Sequence, residues 1–130
     1  MTKILAILAC LSLAAAAGEP RWLTFKTEHD EWGRILHQID RASIRQEGPY
    51  RTFWTRVWID SKKQPMVFSD HESLIFLSRK FAVDCVQHRF GARFIDSNDP
   101  REKKHAATME TMRWQKLDAM PAVARAVCGS

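Results

Sequence analysis

The chain has 130 residues, 45% of them hydrophobic and 27% charged, with a formal net charge of +5. That length suits one domain with a real core, burying roughly 65% of the surface an unfolded chain exposes. The charge is mild and favours polyanions such as envelope lipid head groups or sulfated glycans only weakly unless the cations are focused in a patch.

Met1–Ala17 reads as a secretory signal peptide: Lys3, an apolar run from Ile4 to Leu13, then Ala14-Ala15-Ala16-Ala17. Ile7-Leu8-Ala9-Cys10 loosely resembles a lipoprotein box, but the apolar run before Cys10 is very short and Leu8 fits poorly. The expectation is cleavage after Ala17, loss of Cys10 with the signal, and a single exported domain over residues 18–130. No other stretch approaches the roughly 20 apolar residues of a membrane-spanning helix. Nucleic acid is not an expected partner, because an exported chain without a nucleic-acid motif does not meet it. Cys85 and Cys128 remain in an oxidising compartment, where they are expected to form one disulfide.

Trp22-Leu23-Thr24-Phe25 is a short strand after Pro20, Thr27-Glu28-His29-Asp30 a polar turn, and Trp32 to Ile39 a second strand. Asp40 can accept backbone N–H groups and cap a turn over Asp40–Ile44. Gln46-Glu47-Gly48-Pro49 is a further turn. Tyr50 to Asp60 is the longest strand, and both its faces are bulky. Period-two alternation puts Phe53, Val57 and Ile59 on one face, with Trp54 and Trp58 beside Thr52 and Arg56 on the other. Two readings stay open for that second face: cover by a helix, or an aromatic surface for a partner or a dimer.

Ser61-Lys62-Lys63-Gln64-Pro65 closes the strand, and Arg51, Arg56, Lys62 and Lys63 form a candidate basic edge. Such an edge guards against strand-to-strand aggregation or contacts a polyanion or host protein. Leu74 to Cys85 and Val86 to Ile95 are extended runs joined near Gln87-His88, and Asp96-Ser97-Asn98-Asp99-Pro100 is a strong turn. Arg101 to His105 is a charged stretch expected to be mobile, and Thr108 to Leu117 is ambiguous between strand and helix. Pro121 to Cys128 reads as a terminal helix ended by Gly129. The expected fold class is α+β: a small antiparallel sheet with a C-terminal helix packed on it and one disulfide, Cys85–Cys128.

These elements together resemble the surface-adhesin protein E-like family of Gram-negative envelope proteins. The resemblance rests on Trp22, on Ile39-Asp40-Arg41-Ala42-Ser43-Ile44, and on the Trp54 to Gln64 segment with Trp58, Asp60, Lys62 and Lys63. It continues through Phe81-Ala82-Val83-Asp84-Cys85 with Arg89-Phe90, then Trp114 and the Pro121 to Cys128 tail. It implies the same sheet, helix and cysteine pair, a place in the periplasm or at the cell surface, a host matrix protein as partner, and a possible homodimer. A periplasmic protein that binds or inhibits an envelope enzyme is the alternative.

Catalytic chemistry has little to stand on. His29-Asp30-Glu31 and His71-Glu72 lack a metal-ligand spacing, and Ser43 and Ser69 lack the glycines of a nucleophile elbow. No catalytic residue, metal or cofactor is expected. The candidate binding surface is Trp54, Arg56, Trp58, Lys62 and Lys63.

Overall fold

A computed structural model describes residues 20–31, 33–60 and 77–129. The strands are β1 (Trp22–Asp30), β2 (Gly33–Asp40), β3 (Arg45–Glu47), β4 (Tyr50–Asp60), β5 (Leu77–Asp84), β6 (Arg89–Gly91), β7 (Asp96–Ser97) and β8 (Trp114–Lys116). They form one curved antiparallel sheet in the order β1-β2-β4-β5-β6-β8, with β3 on β4 and β7 on β5. One helical turn, α1 (Pro100–Lys103), follows β7. A terminal helix, α2 (Pro121–Val123), runs directly into a π-helical turn, Ala124–Cys128. The fold is therefore α+β, as expected.

Alternation in β4 sets the layers. Phe53 pairs with Phe81 and Val83 with Phe90, so these side chains share one face with Ile39. Phe81 stacks at 6.4 Å on Phe53 and at 5.5 Å on Phe90, making an aromatic ladder across the strands. Val123, Ala124 and Val127 from the terminal helix close over it, and Leu117 fills the remaining gap. Arg51 ties the helix down by donating from Nη1 to the Val127 carbonyl. Gly129, at φ +75°, ends the helix by donating its N–H to the Arg125 carbonyl at 3.2 Å.

The disulfide joins Cys85 to Cys128, with Cα atoms 5.7 Å apart and a sequence separation of 43. It fastens the end of β5 to the last helical residue. Closing a loop of that length is worth about 4 kcal/mol through the unfolded state.

Three local expectations are corrected. Thr27–Asp30 is not a turn but the second half of β1. Its polar side chains belong to an edge strand facing solvent, where Glu28 is held by Lys26 at 2.9 Å and by His37 across the pair at 3.2 Å. The turn lies further on, where Asp30 pairs with Gly33 and accepts its N–H at 3.1 Å. Val86–Ile95 is not one strand: Cys85–His88 turn on the Asp84 carboxylate, and pairing with β5 stops after Phe90. Gly91 is where the sheet meets Met112, leaving no room for a Cβ, and the chain departs there until β7 returns to β5. Arg101–His105 is not an open stretch throughout, since its first residues belong to α1. Asp99 caps α1, and Glu102 is gripped by Arg79 at 2.6 Å and by the Ser97 hydroxyl at 2.7 Å.

The remaining turns follow their residues. Asp40 accepts the Ala42 N–H at 3.1 Å and so caps the short helical turn Arg41–Ser43. Ser43 then bridges that turn to the central strand, donating to the Asp40 carbonyl at 2.7 Å and accepting the Trp54 N–H at 2.8 Å. The signal segment, Trp32, Leu74 and the Ser61–Pro65 turn lie outside the described residues.

Candidate binding face

The second face of β4 carries the candidate site. The terminal helix does not cover it: the buried cluster containing that helix includes Phe53 and none of Trp22, Trp54, Arg56 or Trp58. Of the two readings left open for this face, cover by the terminal helix does not hold, because that helix took the more apolar phenylalanine face. Trp54, Arg56 and Trp58 are all half-buried.

Arg56 is the centre of this face. Its Cζ lies 3.8 Å from the ring centroid of Trp22 and 5.1 Å from that of Trp58, so the guanidinium is walled by two indoles. Its Nε donates to Gln38 Oε1 at 2.8 Å, and Gln38 in turn donates to the Thr24 hydroxyl at 3.1 Å. That pair of hydrogen bonds runs across β4, β2 and β1 and fixes the plane of the guanidinium. Among the described residues no carboxylate bonds to Arg56. Burial accordingly lowers its pKa from the usual arginine value, while the Asp40 charge works in the opposite direction.

Asp40 is itself already engaged. Arg21 binds it in bidentate fashion, Nε to Oδ1 and Nη2 to Oδ2, both at 2.9 Å. Those hydrogen bonds hold the carboxyl below the ordinary aspartate range and raise the Arg21 guanidinium. Further along, Lys80 is paired with Glu47 at 3.1 Å and Arg89 with Asp84 at 3.4 Å. At that end Tyr50 stacks on Trp114 at 5.4 Å, and Arg89 sits over the same indole at 4.3 Å.

Of the residues expected to form the surface, Arg56 and Trp58 come together, and Trp54 lies one pleat away opposite Lys80. Lys62 and Lys63 lie outside the described residues. Arg51 does not join them: an odd number of residues from Arg56, it points to the helix side, where it meets Gln46 and Val127. Trp22 was missed as a site residue, although its strand had been read. Its approach to Arg56 is a contact between strands that do not pair, and no local pattern announces it.

The other clusters are dispersed. His29 and Glu31 are exposed near the first hairpin, and Ser43 spends its hydroxyl on the turn described above. His71, Glu72 and Ser69 lie outside the described residues. Among the described residues there is no grouping of three or more His, Cys, Asp or Glu suited to a metal, and no helix long and apolar enough to cross a membrane. On the helix side, a groove of about 470 Å³ lies between Phe25 and Lys26 of β1, Gln115 of β8, and Met120 to Val123. A second hollow of about 360 Å³ is edged by His88 and Asp118, which approach to 2.8 Å.

No family model, no curated protein and no solved structure matches this chain.

Proposed function

We propose that the chain is an exported cell-envelope binding protein of the surface-adhesin E-like kind, engaging a protein partner through the Trp22–Arg56–Trp58 face and Trp54. The observation that carries this reading is a half-buried guanidinium held between two indoles on the sheet face opposite the helix. Aromatic and arginine side chains dominate the energetics of protein interfaces, and a fixed guanidinium loses little freedom on binding. The Cys85–Cys128 bond is consistent with an oxidising compartment. The resemblance in the Ile39–Ile44, Trp54–Gln64, Asp84-Cys85 and terminal segments supports the family-level assignment, with host matrix proteins as the partner class. The reading is of a binder, not an enzyme.

The test is binding of the oxidised domain to immobilised matrix proteins, with Trp58→Ala and Trp54→Ala beside the unaltered chain. Loss of binding in variants that keep the native melting profile supports the face. Binding equal to the unaltered chain removes it. Fractionation of the expressing cell, with intact mass from each fraction, decides between surface display and a soluble periplasmic binder.

A further inference from the structure

We infer that the Trp22–Arg56–Trp58 site takes a carboxylate, carried by an acidic extended segment of the partner protein. This rests on the binding face proposed above and names what that face recognises. The argument is charge complementarity. Three cations of this face or its margin already hold a carboxylate: Arg21 on Asp40, Lys80 on Glu47 and Arg89 on Asp84. Arg56 is different. Its Nε is spent on the neutral amide of Gln38, and no hydrogen bond from its Nη nitrogens to a described residue accompanies it.

A guanidinium presents its Nη donors in a planar fork that matches the two oxygens of a carboxylate. Here the plane is set in advance by Gln38 and by the indoles of Trp22 and Trp58, so little ordering remains to be done. The indoles also supply apolar walls, which a bare inorganic anion cannot use and the methylenes of a glutamate can. A sheet face suits an extended segment, whose alternate side chains point the same way. Partial burial strengthens the charge-assisted bonds, since the guanidinium has already lost part of its hydration.

The experiment titrates the oxidised full domain with a short synthetic peptide alternating Glu and Val, and with the same peptide carrying Gln for Glu. The indole N–H signals of Trp22 and Trp58 in a ¹⁵N correlation spectrum are the readout. The Glu peptide is expected to move both signals and to bind about ten- to a hundredfold more tightly than the Gln peptide. Arg56→Gln should abolish the difference, and Arg56→Lys, which keeps the charge but not the fork, should retain only part of it. Sulfate should compete only at far higher concentration than the peptide.

Equal binding of the two peptides at these indoles would overturn the carboxylate while leaving the face as a protein-binding surface. Displacement by sulfate at comparable concentration would overturn the peptide and leave a free-oxyanion site. Silence of both indoles toward both peptides would also overturn the inference. Whether the face itself then survives is read from the Trp54 and Trp58 variants on immobilised matrix proteins. The Glu-against-Gln comparison uses the unaltered chain, so it holds even if an Arg56 variant folds poorly.

Discussion

Trp22 and Arg56 stand on strands that do not pair, yet the guanidinium carbon lies 3.8 Å from the indole centroid. Trp22 reaches over β2, whose Gln38 fixes Arg56 from below. The contact therefore links the outermost strand to the centre of the sheet. It is a tie in the fold as well as a wall of the binding face.

Replacing Trp22 by Ala should cost the cation–π contact and part of the burial of a large ring, together about 1–2 kcal/mol. Trp22→Phe should recover about half, because phenylalanine keeps apolar cover with a weaker quadrupole. Urea midpoints of the three proteins check this, and equal midpoints for Ala and Trp would show that the stack adds nothing to stability.

The Cys85–Cys128 bond should matter more than any single contact on the sheet. Its removal, by reductant or by Cys85→Ala with Cys128→Ala, is expected to lower stability by about 4 kcal/mol, or the melting temperature by on the order of 15 °C. The terminal helix should loosen first, since the bond holds its last residue while Arg51 grips the preceding carbonyl. Amide exchange should accelerate over residues 121–128 before it does over β4. Uniform acceleration would instead mean that helix and sheet open as one unit.

Much of this architecture is legible in the residues, and the exceptions share a cause. The run from Tyr50 to Asp60 alternates without interruption, so both the strand and the division between Phe53 and Trp54 faces can be read directly. The Asp40 cap and the Gln46–Pro49 turn are local chemistry, and the disulfide follows from a count. What escaped is decided at a distance. β1 shifts register between Thr24 and Lys26, so the bulge at Phe25 defeats simple alternation along the rest of the strand, while Trp22 meets Arg56 only across an intervening strand. Glu28 and Glu102 are polar residues in segments that read as loops, and each is fixed by a cation or histidine that tertiary structure supplies. Arg51 and Arg56 look like one basic edge in sequence and are divided by strand parity.

Gly91 gives a separate test of how the chain leaves the sheet. A Cβ at this position would lie 2.7 Å from Met112 Sδ and 3.2 Å from the Ala82 carbonyl oxygen. Gly91→Ala should thus destabilise by about 1–3 kcal/mol through overpacking. In a Gly91→Ala, Met112→Ala double variant the sulfur is gone, so the combined cost should fall below the sum of the two single costs. Strict additivity would mean that the backbone of Ala82, not Met112, sets the limit.

Acid should weaken the domain through Asp40. Hydrogen bonds from Arg21 lower the pKa of this buried carboxyl, with the Ala42 N–H and the Arg56 charge acting in the same direction. The native protein thus holds fewer protons on Asp40 than the unfolded chain as the pH falls past the unfolded value, about 3.9. The resulting stability is complete above that value and drains away as the pH drops through the lower folded pKa. Glu28, Glu47, Asp99 and Glu102 are lowered too, by Lys26, Lys80, the Arg101 N–H and Arg79 respectively, so several carboxylates contribute to the same acid limb. Asp40→Asn isolates one of them. Asparagine keeps an oxygen for the Ala42 N–H and loses the charge that binds Arg21, so the variant should be less stable than the parent at neutral pH. The gap should begin to narrow below about pH 4, where Asp40 of the unfolded parent takes up a proton, and close only once the pH has passed the lower folded pKa. Urea unfolding at intervals from neutral pH downward measures it. A gap that stays constant with pH would assign the role of Asp40 to its hydrogen-bonding shape and not to its charge.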